Sequence, residues 1–156
     1  MTTHNKRKGS AGYAPGGGWN SPWWMMETTV DFADGTTYEA ADTVQLFDIP
    51  AGCWILLATI HVQTGEGDTC TVDLGDADST DGFIDGGDIE TAGVYIGNEL
   101  ALTEGTPNTL TDTYVFPGGR LCAADEIVSL VLGHNTDAAK ITVRIFGITA
   151  QAGGGD

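Results

Sequence analysis

A chain of 156 residues with 22 acidic and 6 basic side chains carries a formal charge of −16. Such a body repels nucleic acid, whose binding rests on Lys and Arg displacing counterions from phosphates, and it repels an anionic membrane surface. No stretch approaches the ~18 apolar residues of a membrane helix, and the basic N-terminus lacks the apolar core of a secretory signal, so the chain is expected to be made and kept in a cytoplasm. Three cysteines, Cys53, Cys70 and Cys122, each lie in or beside an apolar run. An odd number in this setting points to small buried hydrophobes rather than a disulfide framework.

Residues 1–26 differ from the rest. Gly, Pro, Ser and Asn dominate, and neither a period of 2 nor one of 3.6 is present. The segment is expected to be an N-terminal arm without a core of its own. Half of the basic residues, Lys6, Arg7 and Lys8, open it, and Trp19, Trp23, Trp24, Met25 and Met26 close it. Exposed Trp and Met need cover. Either the cluster folds back onto the body, or it anchors the chain to a neighbouring subunit, as Trp does at interface hot spots.

From residue 27 the signals are those of strands and turns. Residues 27–32 (ETTVDF) alternate polar and apolar before an Asp34-Gly35 turn. Residues 43–48 (TVQLFD) alternate again and end at the turn Ile49-Pro50-Ala51-Gly52. Residues 53–63 (CWILLATIHVQ) form the longest apolar run and read as a central strand. Residues 69–74 (TCTVDL) alternate. Short strands are expected at 82–84, 94–96, 100–102, 113–116 and 120–122, with a single helical turn within 86–93. Residues 126–132 (EIVSLVL) and 140–150 (KITVRIFGITA) close the set, and 151–156 form a tail. About eight to ten short strands at this spacing predict an all-β antiparallel sandwich over residues 27–150.

Between Glu66 and Glu90 stand nine carboxylates and no Lys or Arg. Asp76, Asp78 and Asp81 offer oxygens from one tight loop, as a calcium site would. The EF-hand pattern fails: counting from Asp76, Asp81 stands where Gly is needed, and Gly87 where Glu is needed. The plainer expectation is a solvated connection. His61 and His134 are each alone and match no zinc spacing. A nucleophile elbow and a phosphate-binding loop are both absent, and nothing assembles a nucleophile, base and orienter, so no catalysis is expected. Arg120 and Arg144, scarce cations of the body, suit ion pairs within the chain or between subunits. Tyr95 and Tyr114 are the candidates for stacking on a sugar ring.

The order VQLFDIPAGCWILLATIHVQT, TCTVDLGD, DGFIDGGDI, LALTEGTPNTLT, GGRLCAADEIVSLVLG, from Val44 to Leu132, resembles small β-sandwich structural proteins of tailed-bacteriophage virions, of the capsid decoration or cement type. The resemblance covers roughly two-thirds of the chain and rests on segment order and turn wording. It implies a jelly-roll body, often trimeric, seated on the outer face of an icosahedral head, with the major capsid protein as partner, no cofactor, and assembly before lysis. The arm lies outside the resemblance. Its composition makes Lys6, Arg7, Lys8, Trp19, Trp23 and Trp24 the candidates for capsid or intersubunit contact. The alternative function is a carbohydrate- or receptor-binding module of a phage tail or fibre.

Overall fold

The structure, a computed structural model, describes residues 1–6, 23–97 and 119–149. The expected strands at 100–102 and 113–116 lie outside them. Ten strands follow in chain order: β1 (Thr3–Asn5), β2 (Trp23–Asp31), β3 (Thr43–Ile49), β4 (Cys53–Thr64), β5 (Thr71–Gly75), β6 (Ile84–Asp88), β7 (Gly93–Gly97), β8 (Arg120–Leu121), β9 (Glu126–Leu132) and β10 (Lys140–Thr149). No helix occurs among the described residues, and the turn expected within 86–93 is a strand end and a connection instead.

The strands form two sheets, in the orders β1-β3-β9-β5-β6 and β2-β10-β4-β7, with β8 beside the start of β4. They enclose one apolar core to which both contribute. Val44, Leu46, Val72, Leu74, Val128 and Leu130 come from the first sheet, and Val30, Ile55, Ile60, Ile141, Val143 and Ile145 from the second. The all-β sandwich read from the sequence is therefore the fold. All neighbours are antiparallel except β1, which lies parallel to β3. Four of the pairings nest inside one another along the chain: β5 with β6, β4 with β7, β3 with β9, β2 with β10. A long antiparallel ribbon with this nesting, folded across the core, distributes successive pairs alternately between the sheets.

The largest departure from the sequence reading is at β2. The strand expected from residue 27 begins at Trp23, paired with Ile148 of β10. Trp24, Met26, Thr28 and Val30 alternate inward and are buried. The alternation was masked because the outward neighbours Trp23 and Met25 are apolar too. Trp24, expected as an anchor for another chain, is 4% exposed and belongs to the core of its own. Residues 3–5 and 23–26 are thus sheet members.

Gly147 is what lets the Trp24 indole lie flat against β10. A Cβ there would collide with Trp24 Cζ2 and with the Trp54 carbonyl. Gly147→Ala is expected to lose about 1–3 kcal/mol in urea unfolding, as overpacked cores do. Gly93→Ala, where a Cβ would meet nothing within 4 Å, is expected to stay within about 0.5 kcal/mol of the wild type.

Candidate assembly surfaces

The N-terminal clasp is built on polar contacts. β1 lies along the open edge of β3, with Thr3, His4 and Asn5 opposite Thr43, Val44 and Gln45. The Thr43 N–H donates to the Thr2 carbonyl at 2.8 Å and the Lys6 N–H to the Gln45 carbonyl at 3.1 Å. Asp42, buried at the start of β3, gathers the segment: it accepts from the Thr2 N–H, sits 2.9 Å from His4 Nε2, and accepts the Glu39 N–H at 3.1 Å. These contacts, led by His4, hold the Asp42 carboxyl down at about 2. Lys6 pairs with Asp34, whose carboxyl is held far below the usual range by that ammonium and by Thr36. The Lys6 ammonium also lies 5.6 Å from the Tyr38 ring centroid, within cation–π range. His4 and Phe32 flank the same ring at 4.6 and 4.9 Å. Lys6, expected as an external contact, is thus engaged within its own chain. Arg7, Lys8 and Trp19 lie outside the described residues.

The acidic loop folds around a guanidinium. Asp76, 1% exposed in its side chain, receives Arg120 Nε at 3.0 Å on one oxygen, and its other oxygen accepts the N–H groups of Asp78 and Ser79. Arg120 also reaches Asp78, and Glu126 Oε1 at 3.1 Å. Ser79 Oγ donates to Asp81 at 2.6 Å. Of the three calcium candidates, Asp76 and Asp78 bind the arginine, and Asp81 accepts from Ser79 within the same turn. Glu126 titrates above the usual glutamate range because it is partly buried and shares the site with Asp76. All three cysteines are free and buried, as their surroundings in the sequence suggest. Burial pushes the Cys122 thiol up to about 12, which leaves it without thiolate character at neutral pH.

The outer face of the second sheet is divided in two. Leu121, Trp54, Ile148 and Trp23 stand opposite one another across β8, β4, β10 and β2. Beside them, Leu57, Phe146 and Met25 form a second row. Next come Thr59, Arg144 and Glu27, the last two ion-paired, and then Val94, His61, Thr142 and Thr29. Trp23 is 65% and Leu121 48% exposed. Of the candidates for external contact, Trp23 is the described one that is largely exposed. The sequence marked Trp23 and Met25, but the rest of their patch comes from strands β4, β8 and β10, which only the register brings together.

With this geometry in view, comparison places the fold. No protein-family model and no curated protein matches the chain. Solved phage capsid structures do. A chain in the capsid asymmetric unit of cyanophage Pam1 superposes with a TM-score of 0.58 at 16% identity, over 86% of this chain and 90% of that one. A chain in the capsid of Ralstonia phage GP4 superposes with a TM-score of 0.52 at 14% identity, over 82% and 86%. At such identities the likeness is one of fold. It covers nearly the whole chain in each case, so the resemblance to phage capsid-related proteins noted from segment order extends to three dimensions.

The clasp generates a test. A carboxyl with a depressed pKa stabilises above its ordinary value and loses that contribution as pH falls toward the depressed one. For Asp42 the window runs from 3.8 down to about 2. Hydrogen exchange is expected to show the Lys6 and Thr43 amides protected at about pH 5 and exposed across that window, before the β10 amides. In Asp42→Asn they are expected to be unprotected already at the higher pH.

Proposed function

We propose that the chain is a structural protein of a tailed-phage virion, a decoration or cement protein on the outer surface of the head, and that it does not act as an enzyme. The observation that carries this reading is the near full-length likeness to chains of two phage capsids. The nested strand pairing supports the finer reading of the sandwich as a jelly roll, since eight of the strands follow the double-sheet order of that architecture. In this reading the sandwich of residues 27–150, extended by the 23–26 strand, is the body, and 151–156 a tail. Arg7, Lys8, Trp19 and the exposed Trp23 meet the major capsid protein or a neighbouring copy, in a homotrimer assembled in the host cytoplasm. A sparsely basic N-terminus on an acidic body sets the register of docking by opposite charge.

Among the described residues the carbohydrate-binding alternative gains no site, since Tyr38 is buried beneath the clasp; its candidates Tyr114 and the Tyr95 side chain lie outside them. Mass spectrometry and antibody labelling of purified particles of the encoding virus test the proposal. The chain is expected as a major component of the particle, with label over the head exterior. Its absence from particles, or label confined to the tail, would overturn the head assignment.

A further inference from the structure

From the divided outer face of the second sheet, we propose that its apolar half is the surface through which copies of this chain associate. The inference rests on the virion reading for its setting and on the register for its substance. Trp23, Trp54, Ile148 and Leu121 form one continuous row across four strands, and Met25, Phe146 and Leu57 form the row behind it. All seven are partly or largely exposed. None is charged, in a chain whose formal charge is −16. The two rows beyond them are mostly polar, and the Glu27–Arg144 ion pair marks the border.

Charge selects the occupant. A cationic partner would be drawn to the carboxylate-rich loops and would find nothing to pair with on these two rows. Two acidic copies repel one another wherever their carboxylates face, and an uncharged sheet face is where they can close without juxtaposing like charges. The surface is centred on β4 and β10, the two strands of this sheet with partners on both sides, so it is rigid before association and loses little entropy on docking. Trp23 at the rim supplies the large aromatic side chain that dominates such contacts. An interface with apolar attraction and long-range repulsion between acidic bodies is strengthened by salt, because screening weakens the repulsion.

Sedimentation velocity of the full chain across a concentration series, at about 0.05 M and about 0.5 M NaCl, tests this. The wild type is expected to self-associate, more tightly at the higher salt. Trp23→Glu and Leu121→Glu are each expected to weaken association at least ~10-fold while leaving the circular dichroism and thermal midpoint of the dilute protein unchanged. Thr29→Glu, on the polar half of the same face, is expected to associate like the wild type. A wild type that stays monomeric, association weakened by salt, or equal loss in Thr29→Glu would each overturn the proposal. So would a lowered thermal midpoint in Trp23→Glu with association intact, since the patch would then be covered by its own chain. A chain that associates through this face but is missing from virus particles would sink the virion reading alone. One present in particles yet monomeric in solution would sink this inference alone.

Discussion

Strand β10 is the member on which the rest of the second sheet depends. It is paired along nearly its whole length on both sides, to β2 from Trp23 to Asp31 and to β4 from Cys53 to Thr64. Its inward side chains Ile141, Val143 and Ile145 are fully buried at the centre of the core. A strand in that position satisfies its own backbone groups and those of two neighbours, and this makes an otherwise local hairpin chain into a sheet. It also sets the face proposed for self-association. The same register that buries Trp24 over Gly147 turns Trp23 and Ile148 outward beside Trp54. The bulge between Phe146 and Gly147 keeps both halves of that face in phase with β4.

The large negative charge is less free than its sum suggests. Many carboxylates are spent on backbone amides. Glu66 accepts the N–H groups of Asp137, Ala138 and Ala139, Asp73 that of Gly86, and Asp125 that of Ala51. Asp34 and Asp42 hold the N-terminus, and Asp76 with Glu126 surrounds Arg120. Acidic residues thus close the connections that a sandwich of short strands requires, and the charge left over keeps the outer surface hydrophilic away from the apolar rows. Alternating β-branched strands and carboxylate-capped turns are two halves of one solution.

Much of this was legible in the sequence. The central run 53–63, the strand 126–132 and the closing strand 140–150 appear within a residue or two of their expected bounds, because inward and outward positions there differ sharply in polarity. The start of β2 was not legible, since Trp23-Trp24-Met25-Met26 is apolar on both faces and period 2 carries no signal without contrast. β1 was missed for the opposite reason. Thr3-His4-Asn5 buries no apolar side chain, and only Asp42, thirty-odd residues away, reveals its place. The acidic loop was read as solvated or cation-binding because its true partner, Arg120, is distant in sequence. The apolar patch was marked only by Trp23 and Met25, and its other members became their neighbours only through cross-strand register.

The central claim is a sandwich organised by β10, with Trp23–Met26 inside the sheet and the clasp peripheral to it. Native-state hydrogen exchange resolved by residue tests it most directly. The account predicts protection highest in β4 and β10, strong at the Met25 and Met26 end of β2, and weakest in β1, whose amides open by local detachment. Fast exchange across residues 23–26 with slow exchange from residue 27 onward would return that segment to the arm. Protection in β1 equal to that in β10 would contradict the picture of a polar clasp laid on an independently folded body.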